Sequence, residues 1–348
     1  MGRRTTAGEN TRTGVRSRDS RVYRVVKPIF GDAAARMAAR FEYLFRLGLL
    51  PQSRDFVGSV DITHRCNLEC AHCYFRHQGY AWELSDSQWI EFFDRLRGTG
   101  FPFFQCSWVG GEPLLRWRLL EKLIGLFQAN LVATNGTVDL PDWPDVNFYV
   151  SVDGTRGHYA ELRGRGDLYD RIKRNVLASD RLKVRVGMVV TSRNHGCIEE
   201  FLAEWRDTPV RSVLFEFYTP VAQAPDELWP GWELRDRILR RLLNLKTRHG
   251  DFIENNEKTL RLMRSDLAGA STRKCLFSKL AFCFGPDGKP KRPCMMGPGA
   301  DCTRCGCILP FHMGMMHDKG LLFREVAGLL GNMLGDGGHE RAKGGAGR

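Results

Sequence analysis

The 348-residue sequence lacks any apolar run that approaches the length of a membrane span. It also lacks the apolar stretch of an export signal, since nothing apolar follows the adjacent Arg3 and Arg4. We therefore expect no membrane partner and a cytoplasmic location.

Acidic residues are outnumbered, with 52 Lys and Arg against 40 Asp and Glu, which gives a formal net charge of +12. Part of that excess lies in the Arg-rich start of the chain and in the tail after Gly338. No run of Lys and Arg is interleaved with aromatic residues, so a nucleic-acid partner is not favoured.

The 11 cysteines are an odd number and follow no export signal, which disfavours a disulfide framework. Three of them lie close together at positions 66, 70 and 73, and six lie between positions 275 and 307. Two tight groups of cysteine in such a chain indicate metal binding.

Hydrophobic periodicity predicts strands at 56–62, 103–109, 130–134, 146–152, 183–190 and 210–218. Helices are predicted at 29–47, 86–96, 119–127, 168–178, 198–205 and 236–246, with Ser85 capping the second of them. Six successive β–α units predict an α/β fold, a partial (β/α)6 barrel whose functional groups follow the strands. The Cys-rich C-terminal stretch lacks periodicity and is predicted to be a small domain shaped by ligation.

The predicted segments are a flexible basic arm (1–28), an N-terminal helical segment (29–55), the barrel (56–225), connecting helices (226–268), the Cys-rich domain (269–312), and a C-terminal helix with a flexible tail (313–348).

Cys66, Cys70 and Cys73 follow the first strand with the spacing C-x3-C-x2-C. Three thiolates on one loop can hold three irons of a 4Fe–4S cluster, which leaves the fourth iron open to another molecule. Zinc is the alternative, although structural zinc favours four closed ligands. His72 is interpreted as a neighbour of this group and not as a ligand.

The run from Cys66 to Tyr74, CNLECAHCY, resembles the signature of the radical S-adenosylmethionine (SAM) superfamily. The resemblance implies that the open iron chelates SAM through its amino and carboxylate groups. Electron transfer from the reduced cluster then cleaves SAM to a 5′-deoxyadenosyl radical, which abstracts hydrogen from the substrate.

Further motifs in the predicted barrel resemble the SAM contacts of that superfamily. Gly110, Gly111, Glu112 and Pro113 are similar to the motif for the methionine amino group, for which Glu112 offers an acceptor. The resemblance assigns Ser151 and Arg163 to the ribose and carboxylate, and Thr191 to the adenine. Asn135, in the Thr-Asn-Gly turn after the third strand, completes the predicted cofactor-binding set.

The second group of cysteines resembles the auxiliary-cluster extension of the same superfamily, whose short form is called twitch and whose long form is called SPASM. The resemblance implies a second, auxiliary 4Fe–4S cluster, with Cys275, Cys294, Cys302 and Cys305 as preferred ligands. Cys307 could replace one of the last two, Cys283 could be merely buried, and zinc is again an alternative.

Together these features predict an oxidoreductase that oxidises a small biosynthetic substrate of the sugar, cyclitol or nucleoside type. A peptide or protein maturase and a non-catalytic iron–sulfur electron-transfer protein are the alternatives, and epimerisation or dehydration remain open outcomes. Glu216 and Tyr218, which end the sixth strand on one face, are the candidate catalytic residues. A flavodoxin or ferredoxin is the expected electron donor.

Overall fold

A computed structural model describes residues 55–316, together with Pro28, Ile29 and Ala38. The predicted basic arm, the N-terminal helical segment and the C-terminal tail lie almost wholly outside the described residues. The predicted barrel and the Cys-rich segment lie inside them.

The centre of the fold is one seven-stranded sheet with the strand order β6-β5-β4-β3-β2-β1-β7. Every neighbouring pair of strands is parallel. The α/β class and the partial barrel are thereby confirmed. The strands are β1 (Val57–Thr63), β2 (Gln105–Gly110), β3 (Ala129–Thr134), β4 (Asn147–Ser151), β5 (Lys183–Val190), β6 (Ser212–Phe217) and β7 (Phe282–Phe284).

Helices connect the strands and continue beyond them into the Cys-rich segment. The α-helices are α1 (Asp86–Gly98), α2 (Trp117–Leu123), α3 (Arg156–Arg163), α4 (Tyr169–Leu177), α5 (Ile198–Arg206), α6 (Gly231–His249), α7 (Glu257–Leu262), α8 (Ser265–Arg273), α9 (Leu276–Leu280) and α10 (Leu309–Met316). Short 3-10 turns lie at Arg76–Gln78, Pro113–Arg116, Ile124–Leu126, Gly166–Leu168, His195–Cys197, Asp226–Leu228, Gly250–Phe252 and Cys302–Arg304.

Local sequence explains where these elements begin and where one is missing. Ser85 caps α1 in a reciprocal capping box with Gln88, as predicted. The prediction of six consecutive β–α units is wrong at one point, because no helix connects β3 to β4. Pro141 and Pro144 lie in this connection and disfavour a continuous helix.

Side chains alternate along the strands between an outer hydrophobic layer and the interior of the barrel. On β4, Phe148 and Val150 are buried in the outer core, whereas Tyr149 and Ser151 face inward. On β6, Phe215 is in the core and Glu216 faces inward. The inward positions form the wall of the candidate site.

The Cys-rich segment contacts both edges of the barrel sheet. β7 pairs with β1 through Gly58–Phe282, Ser59–Cys283 and Val60–Phe284, which places Cys283 on a buried strand as predicted. At the other edge, the Phe217 N–H of β6 donates to the Gly306 carbonyl over 3.0 Å. The segment therefore joins the edge strands β1 and β6.

An aromatic cluster packs the outer face beside β7. The rings of Phe127 and Phe282 stack with centroids 5.9 Å apart, and Trp108 meets Phe127 edge-on at 5.6 Å. The indole N–H of Trp108 donates to Asn130 Oδ1 over 2.8 Å, so the polar edge of this buried ring is satisfied. Asn130 in turn donates to the carbonyls of Ile124 and Phe127.

None of the helices within the described ranges is long and apolar enough to cross a membrane.

We predict that Asn130→Ala lowers the free energy of unfolding by about 2 kcal/mol, because the buried Trp108 N–H loses its acceptor and the Phe127 carbonyl loses a donor. Urea denaturation followed by circular dichroism measures this change. Asn244→Ala, at an exposed position of α6, is the control and should leave the free energy of unfolding nearly unchanged. Equal free energies of unfolding for the two variants would contradict the conclusion that Asn130 stabilises the core through these hydrogen bonds.

Candidate functional site

A cavity of about 500 Å³ opens at the carboxyl ends of the strands. Cys66, Cys70 and Cys73 line one part of it, and Tyr149, Arg185, Glu216 and Glu254 line another. The volume lies in the range of small-molecule and cofactor sites. This is the position at which parallel α/β barrels carry their functional groups.

The three cysteines of the first group reach the cavity from a single loop after β1. Each thiol has an N–H donor nearby: Asn135 Nδ2 lies 3.9 Å from Cys66, an Arg163 nitrogen 3.9 Å from Cys70, and the Arg76 backbone nitrogen 3.3 Å from Cys73. Such donors stabilise negative charge on sulfur.

The donor set fits an iron–sulfur cluster. All 11 cysteines of the chain are unpaired thiols. Burial raises the pKa of Cys70 to about 12 and raises that of Cys66 as well. The thiols therefore stay protonated until a strongly cationic centre displaces the protons, which is how metal binding is coupled to deprotonation.

No three His, Cys, Asp or Glu side chains within the described part of the chain lie close enough to hold a single metal ion. The assignment of iron–sulfur ligation rests on the shared cavity and the cysteine motif.

The two glycines after β2 are required by close packing against the cysteine loop. A Cβ atom on Gly111 would lie 2.1 Å from the Arg65 carbonyl oxygen, and one on Gly110 would lie 2.4 Å from that of Thr63. Gly110 also has a φ of 128°, which favours glycine. Both predicted residues line the cavity.

Glu112 and Pro113 do not line the cavity. The Glu112 carboxylate is fully buried and accepts hydrogen bonds from Leu114 N, Thr134 Oγ1 and Asn135 N over 2.7–2.9 Å. Burial raises the pKa of Glu112 although these three bonds oppose the change. The carboxylate fixes the Asn135 turn, and its predicted contact with an ammonium group stays a prediction.

Asn135 lies between two loops of the site. Its Nδ2 donates to Asn67 Oδ1 over 2.9 Å, and its Oδ1 accepts from the Thr137 backbone nitrogen over 3.0 Å. The predicted cofactor residue therefore joins the cysteine loop to the end of β3.

Asp153, which follows Ser151 at the end of β4, gathers three donors around one buried carboxylate. Arg163 Nε and His72 Nε2 lie 2.7 Å and 2.9 Å from its Oδ2, and Val189 N donates to its Oδ1 over 2.8 Å. The Arg163 guanidinium and the hydrogen bonds to Asp153 hold the pKa of this carboxyl well below its usual range despite its burial. His72 thus contacts Asp153 through Nε2, and its role as a neighbour of the cysteines stays a prediction.

The predicted residues Ser151 and Arg163 both line the cavity, whereas Thr191 does not. Thr191 is fully buried, and its backbone nitrogen and hydroxyl both donate to Asn194 Oδ1 over 2.7 Å and 3.0 Å. This turn withdraws Thr191 from the wall, and Val189 lines the cavity there instead. The geometry does not support the predicted adenine contact of Thr191.

Both candidate catalytic residues line the cavity. Glu216 accepts from the Ile308 backbone nitrogen over 3.0 Å and from the Tyr149 hydroxyl over 3.4 Å. Burial raises the pKa of Glu216 above its ordinary value. Tyr218 is 2% exposed, and its hydroxyl forms no hydrogen bond of normal geometry with the described residues.

The sequence interpretation missed Tyr149 and Arg185, which extend the polar wall beside Glu216. Tyr149 lies two residues before Ser151, and Arg185 faces it on β5 in the strand register. Counting back two positions from Ser151 would have found Tyr149, since alternate residues share a face. Glu254, which binds Arg185, lies in a connecting segment that carries no comparable periodicity.

The preferred ligands of the second group, Cys275, Cys294, Cys302 and Cys305, lie near one another and do not line the cavity. Burial raises the pKa of Cys294, Cys302 and Cys305, and the neighbouring Cys275 raises each of them further. The assignment of these four thiols as ligands of the auxiliary cluster stays a prediction. Cys307 lines the cavity instead.

A buried ion pair joins the two cysteine-bearing regions. Lys291, between Cys283 and Cys294, donates to Asp61 on β1 over 2.5 Å, and the two side chains are 3% and 1% exposed. The ammonium group also lies 5.4 Å from the ring centroid of Phe75. Burial raises the pKa of Asp61 to about 6 although Lys291 opposes the change.

Residues 60–208 match the family model described as the Radical SAM superfamily. Mycofactocin maturase MftC of Mycobacterium tuberculosis is 29% identical over 160 residues, which cover 40% of this chain and 39% of that protein. Pre-heme d1 synthase of Dinoroseobacter shibae is 30% identical over 156 residues, which cover 41% and 38%. The chain therefore matches about two fifths of the length of these relatives.

Among solved structures, Streptococcus suis SuiB bound to precursor peptide SuiA superposes with a TM-score of 0.54 and 15% sequence identity. The match covers 85% of this chain and 72% of that one. At this identity the likeness shows the fold.

We predict that anaerobically reconstituted protein carries about eight irons per chain, as two four-iron clusters require. Replacing Cys66, Cys70 and Cys73 together with Ala should leave about half of that iron. Replacing Cys275, Cys294, Cys302 and Cys305 together should remove the other half. Iron, zinc and acid-labile sulfide analysis measures these contents. About four irons with one zinc in the unmodified protein would assign the second group to zinc.

Proposed function

We propose that the chain, whose residues 60–208 match the Radical SAM superfamily model, is a radical SAM enzyme that reductively cleaves SAM and removes hydrogen from a peptide substrate. The observation that carries the proposal is the cavity that Cys66, Cys70 and Cys73 share with Ser151, Arg163 and Glu216. Such a cavity brings a cluster-binding loop and a polar wall together.

Cys66, Cys70 and Cys73 would hold the catalytic cluster, which supplies the one-electron cleavage of SAM when both are bound. Arg163 presents a fixed positive charge beside Cys70, because Asp153 orients its guanidinium. Ser151, with its hydroxyl group, and Gly111, with its backbone, line the same cavity. The chain's own residues thus bind and orient the methionine carboxylate and amino groups.

The opposite wall orients the substrate. Glu216 is fixed by Ile308 N and Tyr149, and burial raises its pKa above the ordinary value, which favours a carboxyl group that can accept a proton. Arg185, bound to Glu254, adds a cation to the lining of the same cavity. A polar side chain or backbone amide of the substrate would be held between these groups.

A peptide is favoured as the substrate by the relatives. MftC is named a maturase, and the solved SuiB structure contains a precursor peptide. The sugar, cyclitol or nucleoside substrate favoured by the sequence has no support among these relatives. A small-molecule substrate stays the second candidate because pre-heme d1 synthase is similar over the same share of the chain.

The electron for SAM cleavage is proposed to come from a flavodoxin or ferredoxin. The second cysteine group would hold the auxiliary cluster, which could accept the electron that a substrate radical loses. A non-catalytic electron-transfer protein would not require SAM-binding residues such as Ser151 and Arg163.

We predict that the reconstituted enzyme releases 5′-deoxyadenosine from SAM when it is reduced anaerobically with dithionite. Liquid chromatography with mass spectrometry measures the product. The variant in which Cys66, Cys70 and Cys73 are replaced with Ala should release none. If the enzyme carries both clusters and still forms no 5′-deoxyadenosine, the proposed function is wrong.

We predict that Glu216→Gln keeps the full iron content and SAM binding but loses most of the substrate modification. The reason is that an amide at this position can no longer accept a proton. Candidate peptides encoded beside the gene, assayed for a mass change, provide the measurement. Glu161→Gln, at a surface ion pair with Arg193, is the control. Unchanged modification by the Glu216 variant would remove this carboxylate from the mechanism.

A further inference from the structure

Arg235, on helix α6, is a fully buried arginine beside the second group of cysteines. Its Nη1 donates to the Cys305 carbonyl over 2.9 Å. The guanidinium carbon lies 4.9 Å, 5.0 Å and 5.7 Å from the ring centroids of Phe217, Trp232 and Phe311. The guanidinium therefore lies between three aromatic rings and the backbone of a predicted auxiliary ligand.

The rest of this guanidinium has no hydrogen-bond acceptor. Neither Nε nor Nη2 of Arg235 has a partner among the described residues. The adjacent carboxylate, Asp236, accepts instead from the backbone nitrogen and the hydroxyl of Ser265, over 2.9 Å and 2.6 Å. Aromatic faces attract a cation, but buried N–H groups without acceptors still destabilise a fold. The arrangement indicates that an anionic partner binds beside Arg235.

Other buried cations of the chain are paired with a carboxylate. Arg163 is paired with Asp153, and Lys291 is paired with Asp61. Arg235 differs from both, because the described residues leave its charge without such a pair. A buried charge is tolerated only where another group compensates it.

The predicted auxiliary cluster is an anion of the required kind, since cysteine thiolates surround its iron–sulfur core. Burial raises the pKa of the Cys305 thiol to about 11, and the positive charge of Arg235 opposes this rise. The guanidinium is therefore within electrostatic reach of that thiol. Arg235 does not line the cavity of Cys66, Cys70 and Cys73, so its charge acts on the second group of cysteines.

We propose that Arg235 is the counter-cation of the auxiliary cluster and raises its reduction potential. This proposal rests on the auxiliary cluster of the proposed function and deepens the role given to it. Reduction adds one electron to the cluster, while no bond to Arg235 forms or breaks and no proton moves. A fixed buried cation stabilises the more negative, reduced form more strongly than the oxidised form.

Arg235 thereby adjusts the cluster as an electron acceptor. A higher potential favours transfer of the electron that a substrate radical loses. Arg235 affects substrate chemistry only through the cluster and is a positioning residue, not a catalytic one.

The test uses the chain in which Cys66, Cys70 and Cys73 are replaced with Ala, so that only the auxiliary cluster contributes. Anaerobic potentiometric titration with dithionite, followed by electron paramagnetic resonance, measures its reduction potential. Arg235→Gln removes the charge, and we expect it to disfavour reduction by about tenfold, which lowers the potential by about 59 mV for one electron. Arg235→Lys keeps the charge and should keep most of the original potential.

Arg237→Gln is the matched control, because it removes the same charge from the same helix. Arg237 is 54% exposed and pairs with Glu233, so solvent screens its charge and the potential should not change. Arg235→Met, whose apolar side chain suits the three surrounding rings, repeats the neutral substitution if glutamine lowers the yield of folded protein.

Full iron with an unchanged potential in the glutamine and methionine variants would overturn the proposal. A lysine variant whose potential falls as far as that of the glutamine variant would overturn it too. Loss of iron from the two neutral variants alone would support a requirement for the charge. Loss from the lysine variant as well would overturn the proposal in favour of a packing role.

Zinc in the second group would give no redox signal and would also overturn the proposal. The proposed function is scored separately, by the release of 5′-deoxyadenosine from the wild type. That function stands if the product forms while the potential ignores Arg235. Absence of the product would sink the proposed function, and the potential would still decide the role of Arg235.

Discussion

The candidate site depends on one buried carboxylate, that of Asp153. It binds Arg163, His72 and the backbone nitrogen of Val189, which come from a helix, the cysteine loop and β5. A buried carboxylate is tolerated only if it is paired and hydrogen-bonded, so Asp153 requires its three donors. The carboxylate in turn fixes the positions of these donors. The cysteine loop is thereby held in place at the ends of β4 and β5 before any cofactor binds.

Much of the architecture could be predicted because the signals are local. Buried strands of a parallel sheet are short apolar runs, and β5 at Lys183–Val190 has the predicted bounds. The cysteine spacing identified the loop that reaches the cavity. Glu112 could not be placed in this way, because its carboxylate bonds to Asn135, 23 positions away in the chain. Thr191 bonds to Asn194 in a local turn, which the periodicity of the strand does not reveal.

The position of Cys307 on the cavity wall was also beyond the sequence. Cys302, Cys305 and Cys307 lie within six positions, and spacing alone allows any of them to bind iron. The backbone next to Cys307 is held at the cavity wall by the bond from Ile308 N to Glu216 of β6, 92 positions away in the chain. Lys291 and Asp61 are similar, since their pairing joins residues that are 230 positions apart.

The Cys-rich segment reaches both edge strands of the barrel sheet, through β7 at β1 and through Gly306 at β6. Uncovered strand edges are templates for pairing with another chain. If the auxiliary ligands shape this segment, a newly made chain that has not acquired iron exposes those edges. The iron supply then determines the fraction of the protein that stays free of aggregation. It also determines the fraction that is active.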